Sequence, residues 1–324
     1  MTSLDVSTDA TRRPFSGRRV RLGDLILQGV AGLAALGSLV LVGLIAWKVI
    51  QGARLSISTF GFGFLTHDIW DPVHDKFGAA SFLYGTAVTS FGALILATPI
   101  AIGIALFLTE LAPPWIRGPV TALVETLAAI PSVVIGLWGI LVLAPFLHRD
   151  VNPVLHSVLG FIPIFGPPGT YQENVFTAIV VLTMMILPII ASISRELFLS
   201  VPSELKEGAL GLGTTRWEMI RGVSFPYARG GVAAAMILGL GRAIGEAIAV
   251  AQVIGAFTGI SINFFNPGNT LGAQVALSYT GSQTPLGESS LFYLALILLV
   301  FSIVVNLVAQ LIVRRSSRRL GIAR

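Results

Sequence analysis

The stretch VFTAIVVLTMMILPIIASISRELFL, Val175 to Leu199, carries no charge before Arg195. A hydrocarbon core of roughly 30 Å takes about 20 apolar residues of helix, whereas a barrel would show alternating segments of about ten residues. The run is unbroken, so it predicts a transmembrane helix. Outward from it, similar runs lie at about Leu22–Ile50, Ser81–Leu108, Pro119–Phe146, Gly230–Phe257 and Ser290–Val313. Together these give an all-α integral membrane fold of six transmembrane helices. Composition agrees, since 54% of the 324 residues are hydrophobic and only 11% are charged, too apolar for a soluble globular domain. The 35 glycines and 17 prolines predict close-packed helices with local breaks, notably at Pro99, Pro131, Gly136, Gly139 and Pro188.

The first run is too long for the apolar core of a cleavable signal peptide and reads as an uncleaved helix. With both termini cytoplasmic, sixteen Lys and Arg residues fall inside and four outside (Lys48, Arg54, Lys76 and Arg149), leaving Arg242 within a span. This asymmetry predicts N- and C-termini in the cytoplasm. The expected organisation is a basic cytoplasmic tail over 1–22, a membrane domain over 23–313 with a cytoplasmic loop over about 201–228, and a basic cytoplasmic tail over 314–324. The net charge of +5 is then a membrane-orienting feature facing anionic lipid, not a nucleic-acid footprint. No cysteine is present, which excludes disulfides and thiolate chemistry. His67, His74, His148 and His156 lack paired metal spacing, so no metal is assigned. The outer loops, about 51–80, 148–174 and 258–289, are longer than a connection needs; they read either as ordinary loops or as a docking surface.

The loop between the fourth and fifth spans reads SELKEGALGLGTTRWEMI from Ser203, then RGVSFP to Pro226. Pro202 and Ser203 mark a helix start, and Gly211 and Gly213 mark a stop, giving a short helix, a tight turn and a second short helix. Taken alone, the loop reads as an interfacial amphipathic segment. The chain lacks a Gly-x-x-x-x-Gly-Lys-Ser/Thr phosphate cradle, so it is not itself an ATPase. Gly239, Gly241 and Gly245 miss the dinucleotide spacing; Gly241 and Gly245 instead fit close helix packing.

Within the fifth span, Arg242 and Glu246 stand one turn apart on the same face. Thirteen residues of rise from Arg229 place Arg242 roughly 20 Å into the membrane. A central arginine there must face partners or water. It reads either as an internal ion pair bracing the bundle or as a charge-assisted site for a tetrahedral oxyanion, with Glu246 holding its orientation and limiting how tightly the anion is held. Glu125, early in the third span, is a further intramembrane charge, paired either with Arg242 or with a basic group on another subunit, and either structural or part of a pathway or gate.

The 203–226 loop resembles the EAA loop of ABC importer permeases, Glu-Ala-Ala-x-x-x-Gly followed by Ile-x-Leu-Pro. The matching positions are Glu207, Gly208, Ala209 and Gly213, then Val223, Phe225 and Pro226, with identity departing at Gly208, Val223 and Phe225. The resemblance implies the type I ABC importer permease (MetI-like) fold, in which this loop couples to an ATPase and small residues let two backbones approach. Further stretches, FGFGFL from Phe60, YGTAVTS from Tyr84, ALFLTELAP from Ala105, IPSVVIGLWG from Ile130 and LGLGRAIGEA from Leu238, are similar to the C-type permeases of bacterial Pst phosphate importers. The likeness runs from about Leu55 to the C-terminus. It implies a phosphate-import permease of the bacterial inner membrane, not an enzyme, working by alternating access. The implied partners are a second permease, two copies of a cytoplasmic ATPase that uses ATP and Mg, and an external phosphate-binding protein; no cofactor belongs to this chain. Arg242 and Glu246 match the family's important intramembrane pair. A permease for sulfate or molybdate, or an ATP-independent transporter or channel, are the alternative functions.

Overall fold

The computed structural model describes residues 22–282 and 284–319; the predicted basic tail before residue 22 lies outside them. The chain divides into two units, 1–48 and 49–324. In the first, the leading part of α1 (Leu22–Phe60) exposes apolar side chains such as Leu33, Leu39 and Ile45 on every side, the pattern of a helix bathed in lipid.

In the second unit, α1 continues past the expected end at Ile50 to Phe60, followed by a 3-10 turn, Gly61–Leu65, and a hairpin of β1 (Trp70–Asp71) and β2 (Lys76–Phe77). Packing explains the extension. A Cβ on Gly52 would lie 2.5 Å from the Phe292 ring, and the Ser289 hydroxyl donates to the Gly52 carbonyl while accepting the Ser56 N–H. A small residue and a bridging hydroxyl are the usual adhesives between helices in lipid.

The remaining helices are α2 (Ala80–Leu106), α3 (Pro114–Ala129), α4 (Ser132–Trp138), α5 (Ala144–Phe146), α6 (Asn152–Leu159), α7 (Val175–Leu199), α8 (Ser203–Gly211), α9 (Arg216–Met219), α10 (Phe225–Gly245), α11 (Ile248–Val253), α12 (Leu271–Ser278) and α13 (Pro285–Arg319). π-helical turns extend α2 through Leu111, join α4 to α5 and α5 to α6, and join α9 to α10. Among the described residues, six helical stretches are long and apolar enough to cross a membrane: 26–65, 80–111, 132–159, 175–199, 216–245 and 285–315.

The third and fifth spans differ from expectation. Pro131 has no N–H and forces Ile130 into extended backbone, so Pro119–Ala129 belongs to the separate α3 and the third span is Ser132–Leu159. Its far end absorbs His148, Arg149 and Asp150, expected in a loop; Arg149 pairs with Asp150 at 3.0 Å within the helix. The predicted second short helix of the 203–226 loop, α9, is the first turn of the fifth span. Thr215 and Glu218 close a reciprocal cap at its start. Pro226 is accommodated by the preceding π turn, Ile220–Ser224. The single run expected over 230–257 splits: α10 stops at Gly245, Glu246 is extended, and α11 follows. The basic segment from Arg314 begins as a continuation of α13, with residues 320–324 outside the description.

The central span is α7, enclosed by α2, α10, α3 and α11. Its N-terminus is capped by Asn174, whose Oδ1 accepts the Thr177 N–H at 2.8 Å. Ala93, Ala97, Ala101 and Ala105 form a fully buried stripe at four-residue spacing along α2, letting neighbouring backbones approach. At the end opposite α8, the 160–175 and 253–270 segments are zipped together through Asn174 N–H to Val253 O, Val175 N–H to Asn266 O and Phe264 N–H to Ile164 O. Gly85 belongs to this closure, because any Cβ there would collide with the Asn269 carbonyl.

Candidate functional site

Arg242 lies in the last turn of α10, 16 residues beyond Pro226 and therefore about 24 Å along the helix. It occupies an exposed stripe with Ala234 and Leu238, and its guanidinium makes no hydrogen bond or ion pair among the described residues. Glu246 is not its helical neighbour. With φ −74° and ψ 123°, Glu246 leaves the helix, and its Oε1 accepts the Ala249 N–H at 3.3 Å. The carboxylate thus caps the first turn of α11 instead of bracing Arg242, which corrects the shared face expected from the four-residue spacing. The expected close packing at Gly241 and Gly245 is also displaced. A Cβ on Gly241 would lie 3.5 Å from the Asn306 side chain and one on Gly245 would meet open space, while the tight positions are Gly231 against Leu197 and Gly239 against Ile190.

Two helix breaks come together here. Beyond the break at Ile130 and Pro131, α4 packs on α11 beyond the break at Glu246. A Cβ on Gly136 would lie 2.8 Å from the Ala249 Cα and 2.6 Å from Gln252 Oε1, so glycine permits this crossing. Gln252 Oε1 is itself enclosed without a partner among the described residues. From the other side, a Cβ on Gly272 of α12 would lie 3.2–3.3 Å from Ala247 and the Glu246 carbonyl. Broken helices put free backbone groups at membrane depth, an arrangement lipid does not tolerate unless protein or water covers it.

Glu125 lies elsewhere. It belongs to α3, not to the third span, and is exposed, with no ion pair among the described residues; it does not pair with Arg242. It borders a cavity of about 170 Å³ shared with Thr121, Ser192, Arg195 and Glu196. Because α7 and α10 run antiparallel, with Gly231 beside Leu197 and Gly239 beside Ile190 and Ile186, Arg242 sits about 12 Å farther from the α8 end than the centre of this cavity. Arg195 pairs with Glu196 at 2.6 Å, within the cavity wall.

The α8 segment stands out from the bundle. No residue in it is buried, and Leu205, Leu210, Leu212 and Trp217 are exposed beside Glu204 and Glu207. Gly213 has φ +84°, a left-handed turn that a side chain would strain. Gly208 has open space beside it, and the carbonyl of the part-buried Ala209 accepts the Thr214 hydroxyl at 2.8 Å. Sequence reasoning treated Lys206 only as an orienting charge. The structure joins it to Glu110, 96 residues away, at 2.6 Å, and no local pattern marks such a pair.

An enclosed central span, two broken helices meeting at depth and an exposed helical elbow at one end define a polytopic membrane transport component. A family model described as "Binding-protein-dependent transport system inner membrane component" matches residues 97–318. The chain belongs to this family of multi-pass inner-membrane transport proteins, which are transport components and not enzymes. It is 43% identical to the "Phosphate transport system permease protein PstC" of Mesorhizobium japonicum, over 99% of this chain and 100% of that one. It is 39% identical to the protein of the same name from Pasteurella multocida, over 92% and 94%. Among solved structures, a chain of a bacterial ABC transporter involved in the import of the acidic polysaccharide alginate aligns with a TM-score of 0.59 at 18% identity, covering 92% of this chain and 98% of that one. A chain of the MetNI methionine ABC transporter aligns at 0.53 and 18% identity, covering 75% and 95%. These establish the MetI-like importer fold.

Proposed function

We propose that this chain is a transmembrane permease subunit of an ATP-driven inorganic phosphate importer, with Arg242 in the substrate pathway. The unpaired guanidinium of Arg242 carries the reading. A charge about 24 Å along a membrane helix, exposed and without a partner among the described residues, calls for a counter-charge or water from outside them. A tetrahedral oxyanion supplies the counter-charge, and the planar guanidinium offers it paired donors. Near-full-length similarity to phosphate permeases supports phosphate as that anion.

Both termini and α8 lie on the cytoplasmic side in this reading, following the distribution of Lys and Arg. The exposed apolar face of α8, with Glu207, Gly208, Ala209 and Gly213, meets a cytoplasmic ATPase dimer that binds ATP and Mg; this chain contributes no cofactor. A second permease covers the exposed Arg242 stripe and α3, so phosphate passes between the two subunits. An external phosphate-binding protein delivers it from the opposite side. ATP binding closes the ATPase dimer and opens the permeases outward, and hydrolysis resets them inward. Glu246 shapes the break next to Arg242, and Glu125 lines the cytoplasmic mouth of the pathway.

Uptake of radiolabelled phosphate into proteoliposomes holding the whole complex, with sulfate or molybdate in excess, tests the substrate. Uptake that requires ATP and resists both competitors is expected. Uptake suppressed by either competitor, or sustained without the ATPase, would overturn the assignment.

A further inference from the structure

We infer that the Lys206–Glu110 ion pair is the joint through which movement of α8 reaches the membrane helices, making Lys206 and Glu110 positioning residues for coupling. The inference rests on the reading of α8 as the ATPase contact, and goes beyond it by naming how the contact is tied to the bundle.

Lys206 Nζ donates to Glu110 Oε1 at 2.6 Å and to the Phe198 carbonyl at 3.2 Å. One ammonium therefore fastens three elements: α8, the π turn that ends α2, and the last turn of α7. The joint is largely shielded, with side-chain exposures of 19% for Lys206 and 8% for Glu110. At that burial the pair is little screened by water or salt, so it holds a fixed geometry under load. The rest of α8 offers no comparable hold. Among its residues only Lys206 and Ala209 are even partly buried, and the Ala209 side of the helix faces α9 and the turn that follows.

The attachment point is suited to passing movement on. Phe198, whose carbonyl Lys206 holds, is fully buried against Ala105, Ala228 and Val232, which belong to α2 and α10. From Ala105 the alanine stripe of α2 runs back along the bundle through Ala101, Ala97 and Ala93. Such a seam has short, unbranched contacts that let a helix shift as a body. At the far end of α10 stands Arg242. A push on α8 thus enters α2 and α7 through one charged contact and reaches the break beside Arg242 through packed helices.

The test uses the assembled complex in proteoliposomes and reads phosphate moved per ATP hydrolysed. Lys206→Met is expected to lower that ratio at least about tenfold, as for groups coupled by direct contact. The charge swap Lys206→Glu with Glu110→Lys is expected to recover most of it. Because the chain has no native cysteine, Leu212→Cys labelled with benzophenone maleimide reports on ATPase contact separately. Absence of that cross-link in the parent complex defeats the contact reading itself. A retained cross-link with an unchanged ratio in Lys206→Met overturns the joint, as does a swap no better than the single variant. Should Lys206→Met fail to insert, Glu110→Gln takes its place, and an unchanged ratio is equally fatal.

Discussion

Lys206 and Arg242 are both basic groups on helices of one bundle, yet their surroundings are opposite. Lys206 is shielded and satisfied twice within the chain, by Glu110 and by the Phe198 carbonyl. Arg242 is exposed and has no hydrogen-bond or ion-pair partner among the described residues. The difference separates a charge that completes the fold from one that awaits something outside it. A shielded ion pair ties elements together, and removing one member leaves the other stranded. An unpartnered guanidinium adds little to the stability of its own chain, so its presence at depth points to an external ligand or subunit.

The contrast can be broken by stability measurements on the isolated subunit in detergent. Lys206→Met strands Glu110 and is expected to cost about 3 kcal/mol, whereas Arg242→Met is expected to cost nothing measurable or to stabilise. Thermal melts of both variants check this; an equal loss from both would erase the distinction. Next in size, Gly272→Leu drives a side chain into Ala247 and the Glu246 carbonyl, at an expected cost of about 1–3 kcal/mol. It should impair uptake while Arg242 itself is untouched, which would show that the break and not the charge alone forms the site.

A smaller effect belongs to Glu246. Glu246→Ala removes the acceptor for the Ala249 N–H and is expected to cost about 1 kcal/mol, while Glu246→Gln retains that acceptor and most of the stability. If Glu246 were instead an ion-pair partner of Arg242, Gln and Ala would be equally damaging. The smallest effect lies in the β1–β2 hairpin, where the His74 side chain hydrogen bond holds the Asp71 carboxyl below its usual range. A carboxyl depressed in the folded state stabilises above the unfolded value of about 3.9, and that contribution fades as pH falls through the folded value. Hydrogen exchange across 68–77 should therefore rise only in strongly acidic buffer, and Asp71→Asn should remove that pH dependence.

Much of this molecule can be read from its sequence, because an apolar run such as Val175–Leu199 has few alternatives to spanning a bilayer. What resisted reading has specific causes. Pro119–Ala129 is apolar enough to look like the start of a span, but Pro131 detaches it, and an internal Arg149–Asp150 pair lets charges ride in a helix where a loop is expected. Arg242 was legible as an isolated intramembrane charge. Its relation to Glu246 was not, since four-residue spacing implies a shared face only while the helix continues, and Gly245 followed by an extended Glu246 ends it. The Lys206–Glu110 joint spans 96 residues and depends on the fold that brings α8 under α2.

The most direct measurement is radiolabelled phosphate uptake by complexes carrying Arg242→Ala, normalised to the amount of intact assembly recovered. Loss of at least about thirtyfold with normal assembly and unchanged thermal stability is the predicted result, in line with truncating one side of a desolvated charge contact. Wild-type uptake by a fully assembled Arg242→Ala complex would contradict the role given to this guanidinium.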